Sequence, residues 1–191
     1  MGAWGFRFIW DDLMKENDAF QFIGNMPQFE NLLKSVTSLT QEDWLEYRER
    51  KTAGGAAAGN TDTIPLMYDL KHQINSNILH KNYERFSVYI DEVVLSTKQQ
   101  IGEVKVQQAM LARLRAGTVI PKHRDKGPLT AKTHRIHVPV ITNEQCIFTI
   151  DDESKNLKPG EIWIVDNVGR SHGVKNNGNV DRVHLIIDAQ H

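Results

Sequence analysis

Apolar residues in the first hundred positions recur every three or four places. Phe29, Leu32, Leu33 and Val36 have this spacing, as do Phe86, Tyr89, Ile90, Val93 and Val94. Both stripes predict amphipathic helices that pack rather than react. Thr40 has the character of an N-cap, with Gln41, Glu42 and Asp43 in a first turn where carboxylates favour the helix dipole. Trp44, Leu45 and Arg48 continue that helix. From about Glu103 the period falls to two. Segments around 104–115, 134–141, 145–151, 161–166 and 180–188 are rich in Val, Ile and Thr. Turn signals separate them: Ala116-Gly117, Thr142-Asn143, Pro159-Gly160 and Asn176-Asn177-Gly178. Many short strands at this spacing predict a β-sandwich or barrel. The expected organisation is a single domain over 1–191, with a mainly helical part over 1–103 and a β core over 104–191.

Two of the strands carry charge on one face. Alternation sets Arg135 and His137 against Ile136, Val138 and Val140, and Arg182 and His184 against Val183, Leu185 and Ile187. A surface strand would send the Arg and His to solvent. If the helices of the first part cover the apolar face, the polar face lines the interior instead. Charged groups there require a partner such as a metal or an anionic ligand.

Composition narrows the field. The chain has 191 residues with 40% hydrophobic and 25% charged positions and a net charge of −1. That balance offers no basic footprint for nucleic acid. No run approaches 18 apolar residues, the length that reads as a membrane span. Met1 to Trp10 lacks the apolar stretch of a targeting segment. These readings predict a soluble, cytoplasmic protein. The single cysteine, Cys146, reads as a small buried hydrophobe in a strand. Thr52 to Asn60 holds three glycines without a GxxxxGK[ST] pattern, so it reads as a linker or as a lid over a site.

Histidines supply the candidate chemistry. There are eight, and five lie between 123 and 184. His123 and Asp125 stand two apart, with Cβ atoms about 6.5–7 Å from each other in extended chain. Both can reach one ion. His172 is the best third ligand, with His137 and His184 as competitors. Two His and one carboxylate form the facial triad that leaves three positions of Fe(II) open. Arg182 follows His172 by ten residues. A buried Arg there offers a planar fork to the 5-carboxylate of 2-oxoglutarate, whose other end chelates iron.

Five stretches carry a family resemblance: GTVIPKHRD from Gly117, THRIHVPVITN from Thr133, PGEIWIVDN from Pro159, SHGVKN from Ser171 and DRVHLIID from Asp181. Over roughly residues 107–188 the chain resembles the aspartyl/asparaginyl β-hydroxylase family of Fe(II)- and 2-oxoglutarate-dependent dioxygenases. The resemblance implies a double-stranded β-helix (jelly-roll, cupin-like) core, with the N-terminal helices packed on one sheet. It implies His123, Asp125 and His172 as iron ligands and Arg182 on the co-substrate's 5-carboxylate. Arg135 and His137 match the strand that contacts the other end of the co-substrate, and Trp163 matches a recurring aromatic. The implied co-substrates are 2-oxoglutarate and O2. Family members acting on Asp or Asn in protein domains can lack the carboxylate ligand. Asp125 makes this chain similar to relatives that hydroxylate free amino acids, such as the proline cis-hydroxylases. The expected substrate is therefore an amino acid or similar small molecule. The alternatives are peptidyl Asp or Asn, or another cupin-type metal reaction.

Overall fold

The computed structural model describes residues 18–45, 60–67, 78–125, 133–167 and 169–191. Thirteen elements follow in order: β1 (Phe20–Asn25), α1 (Phe29–Thr37), α2 (Gln41–Leu45), β2 (Thr61–Met67), α3 (Tyr83–Ile101), β3 (Lys105–Leu114), β4 (Val119–His123), β5 (His134–Ile141), β6 (Cys146–Ile150), β7 (Glu153–Lys155), β8 (Glu161–Val165), β9 (His172–Asn176) and β10 (Arg182–Gln190). The strands form a six-stranded sheet, β1-β8-β5-β10-β3-β2, and a four-stranded sheet, β4-β9-β6-β7. Every paired strand is antiparallel. This is the jelly-roll, double-stranded β-helix architecture that the family resemblance implies.

The two faces of the large sheet have different roles. On the outer face Ile136, Val138, Val140, Val183, Leu185 and Ile187 are buried in one cluster with Leu32 and Val36 of α1 and Phe86, Tyr89, Ile90 and Val93 of α3. The inner face meets the small sheet in a second cluster built from Phe20, Leu114, Ile120, Cys146, Phe148, Ile150 and Val174. Both faces of β5 and β10 are thus covered. Along β10 Arg182, Val183, His184 and Leu185 are all buried. Cys146 is a free, buried thiol, as expected.

Thr40 caps α2 as the sequence suggests. Its hydroxyl accepts from Asp43 N at 3.2 Å, and its backbone N–H donates to Asp43 Oδ2 at 2.8 Å. This is a reciprocal capping arrangement with Asp in place of the usual Glu. Within 1–103 the described residues add two strands, β1 and β2, to the expected helices. Phe20-Gln21-Phe22-Ile23 is too short to declare a period. Thr61-Asp62-Thr63-Ile64 alternates only in the company of β3, its partner in the sheet. Of the Thr52 to Asn60 loop, residues 52–59 lie outside the described residues. Among the described residues no helix is long and apolar enough to cross a membrane.

Gly173 sets the approach of β9 to β4. A Cβ at this position would lie 2.8 Å from the Ile120 carbonyl oxygen and 3.1 Å from Lys122 N, both backbone atoms. Gly173→Ala must therefore push β4 away, at a cost of about 1–3 kcal/mol for overpacking. The expected result is a lower urea midpoint with an unchanged slope. A midpoint equal to wild type would show that β4 yields freely.

Candidate metal and co-substrate site

The small sheet delivers two histidines side by side. His123 ends β4 and His172 begins β9, and the two are partners in register. Their rings are 4.3 Å apart, centre to centre. Each ring is oriented through its Nδ1, which faces a backbone carbonyl two residues back: Pro121 O at 2.8 Å for His123, Arg170 O at 3.1 Å for His172. With these carbonyls as acceptors both rings hold their proton on Nδ1 and turn an unprotonated Nε2 toward Asp125, the arrangement that suits a metal ligand, and Asn167 Nδ2 lies 3.5 Å from the Nε2 of His172. Burial lowers the pKa of His172, which favours the neutral, ligating form.

Asp125 completes the group. Its Oδ1 lies 3.4 Å from His123 Nε2, and its Oδ2 lies 3.7 Å from His172 Nε2. The donor atoms of His123, Asp125 and His172 all lie within 4.8 Å of one another. Adjacent ligands on one octahedral ion stand about 3 Å apart when the bonds are about 2.1 Å, so little movement would close the set on a metal. Two imidazoles and a carboxylate are also the donor chemistry that Fe(II) takes in non-haem oxygenases. Asp125 Oδ2 accepts from Arg135 Nη1 at 2.8 Å and from Asn167 Nδ2 at 3.2 Å. Those two donors occupy Oδ2 and leave Oδ1 toward His123.

Further along the interior of the large sheet lies a second polar group. Arg182 is 3% exposed, and its Nη2 donates to His184 Nδ1 at 2.7 Å. His137 Nδ1 lies 3.1 Å from the same nitrogen. Burial, reinforced by the Arg182 charge, holds both His137 and His184 well below the ordinary histidine range, so both are neutral. Burial also pushes Arg182 down to about 10. No carboxylate in the described structure pairs with this guanidinium. Its Nε and the Nε2 of His137 are buried without a hydrogen-bond partner. A small cavity lined by Arg182, His184, Thr142, Cys146, Phe148 and Val174 adjoins them. A buried cation with an unused donor facing a cavity fits an anionic ligand group such as the 5-carboxylate of 2-oxoglutarate.

Six residues were expected at the site, and the structure sorts them into two groups. His123, Asp125 and His172 converge. His137 and His184, the competing third ligands, turn instead to Arg182. Arg135 sits at the metal end with its fork on Asp188 and Asp125. His134 points away and packs on His191 at 4.8 Å. Trp163 is partly buried against the inner cluster, with Phe22 5.2 Å and Lys155 Nζ 4.7 Å from its ring. Asn167 and Asp188 were not foreseen as site residues, although each closes a stretch singled out in the sequence.

Residues 29–191 match the family described as Aspartyl/Asparaginyl beta-hydroxylase. The chain belongs to this family. As an aspartyl/asparaginyl β-hydroxylase family member it is a 2-oxoglutarate-dependent oxygenase that uses Fe(II), 2-oxoglutarate and O2. Its fold is similar to that of a 2OG-Fe(II) oxygenase family oxidoreductase from Burkholderia pseudomallei, at 10% identity and a TM-score of 0.58 over 87% of this chain and 90% of that one. It is similar to the viral collagen prolyl hydroxylase of Paramecium Bursaria Chlorella virus-1, at 10% identity and 0.57 over 92% and 97%. A Pseudomonas putida prolyl-4-hydroxylase is similar at 12% identity and 0.52 over 96% and 97%. At such identities these likenesses establish the fold.

Proposed function

We propose that this β-hydroxylase family member hydroxylates an amino acid or amino-acid-like small molecule, with Fe(II) held by His123, Asp125 and His172. Arg182 anchors the 5-carboxylate of 2-oxoglutarate, and His137 lies along the co-substrate between Arg182 and the metal end. One observation carries the assignment. Among the described residues Arg182 is buried without a carboxylate partner, in the same barrel interior as a complete His-Asp-His set.

Bound together, Fe(II), 2-oxoglutarate and O2 supply an oxidative decarboxylation coupled to hydroxylation of a C–H bond. The chain's own residues bind and exclude. Arg182 offers two N–H groups in one plane, a match to a carboxylate that a point charge lacks. Neutral His137 and His184 keep the chamber free of further positive charge and fix the plane of that guanidinium. Phe148, 5.5 Å from the His137 ring and 6.4 Å from the His172 ring, gives the interior beside both polar groups an apolar lining. An apolar lining of this kind disfavours water beside the reacting centre.

The small-molecule reading is supported by Asp125, the carboxylate that family members acting on protein domains can lack. Free amino acids and short peptides, incubated with Fe(II), 2-oxoglutarate and O2, test it. Succinate release is expected together with a gain of one oxygen atom on a free amino acid. Hydroxylation of long peptides with none on any free amino acid would contradict the small-molecule reading and favour a peptidyl substrate.

A further inference from the structure

Asp188 is fully buried on β10, opposite Arg135 of β5 in register. It accepts from Arg135 Nε at 2.7 Å and from Arg135 Nη2 at 2.8 Å, a side-on pair. The side-chain amide of Gln108 on β3, itself buried, donates to Asp188 Oδ2. The remaining terminal nitrogen of Arg135, Nη1, donates to Asp125 Oδ2 at 2.8 Å. Three strands of the large sheet thus form one line: Gln108, Asp188, Arg135 and then Asp125.

This line has consequences for direction and for charge. A guanidinium is rigid and planar, so its seat on Asp188 decides where Nη1 points. Nη1 in turn decides how the Asp125 carboxylate is turned, with Oδ2 tied back and Oδ1 toward His123. A guanidinium stays cationic in a protein, and that of Arg135 is shared between the carboxylates of Asp188 and Asp125. Beside that cation alone, Asp125 would form a neutral pair with little attraction left for a divalent ion. With Asp188 included, the trio carries a net single negative charge.

We propose that Asp188, braced by Gln108, is a positioning residue for metal binding: through Arg135 it aims Asp125 and leaves that carboxylate its negative charge for the ion. The inference rests on the reading of Asp125 as a ligand. Without Asp188, Arg135 turns its whole fork onto Asp125 and competes with the metal.

Cobalt(II) titration of the metal-free protein, followed by ligand-field absorption, tests this without turnover. Loss of an outer partner costs about 10–100-fold in metal affinity, and that loss is expected for Asp188→Asn. Removing the stranded guanidinium as well, in Arg135→Gln/Asp188→Asn, is expected to recover most of it. A purely structural defect at Asp188 would leave the double variant no tighter than the single. Asp188→Asn affinity within about threefold of wild type, or a double variant without recovery, overturns the proposal. Where Asp188→Asn does not fold, Gln108→Met decides: weakening beyond about threefold supports the proposal, and less overturns it. His123→Ala separates the two levels. If it binds cobalt like wild type, the ligand reading itself fails. If it loses cobalt while Asp188→Asn keeps it, only the role of Asp188 fails.

Discussion

His123→Ala and His172→Ala are each expected to abolish Fe(II)-dependent turnover while the protein stays folded. The two rings present their Nε2 atoms from adjacent registered strands, and each is fixed through Nδ1 on a backbone carbonyl. Neither backbone carbonyl can replace a lost imidazole, and the other buried histidines, His137 and His184, are committed to Arg182. A triad reduced to two donors binds iron weakly and leaves it open to solvent. His123 closes a strand at the barrel mouth, so its removal is expected to cost about 1 kcal/mol of stability or less. His172 is buried, and its replacement is expected to cost more. The check is succinate release at saturating iron beside a urea melt. Near wild-type turnover in either variant would remove that residue from the ligand set.

Arg182→Ala is expected to raise the apparent KM for 2-oxoglutarate steeply. The guanidinium stands in a chamber where water cannot replace it, and no carboxylate of the described chain neutralises it. Breaking a buried charge pair costs about 3–5 kcal/mol. At about 1.4 kcal/mol per tenfold, that amounts to 10²–10³ in co-substrate affinity. Arg182→Lys is expected to recover only part, because an ammonium lacks the planar fork and its reach to His184. Iron affinity without co-substrate is expected to stay unchanged, since Arg182 lies apart from the metal group. An unchanged KM in Arg182→Ala would place the 5-carboxylate elsewhere.

The strands that carry these residues were legible where alternation was strong. The segment 134–141 is β5, and most of 180–188 lies in β10, which runs on to Gln190. The inward turn of Arg182 and His184 was legible for a physical reason: an apolar opposite face needs its own cover, and α1 and α3 provide it. β9 was not marked by its period, because Gly173 and Lys175 interrupt the apolar pattern in five residues. Its glycine answers to the backbone of β4, a contact that no local pattern encodes. Asp188 was hidden for a similar reason. At the end of an apolar strand an Asp reads as a solvated terminus, and its burial depends on Arg135, 53 positions earlier. The preference for His172 over His137 and His184 came from the sequence, and the structure brings the His172 ring to His123 and Asp125 while the other two turn to the Arg182 end.

The central claim is that one barrel interior holds an iron triad at one end and a 2-oxoglutarate anchor at the other. Titration of 2-oxoglutarate into the anaerobic Fe(II) protein tests both ends together, through the metal-to-ligand charge-transfer band of an iron-chelated 2-oxo acid. The account predicts a saturable band in the wild type, no band in His172→Ala, and in Arg182→Ala a band that needs about 10²–10³ times more 2-oxoglutarate. No band in the wild type, or equal half-saturation for wild type and Arg182→Ala, would contradict it.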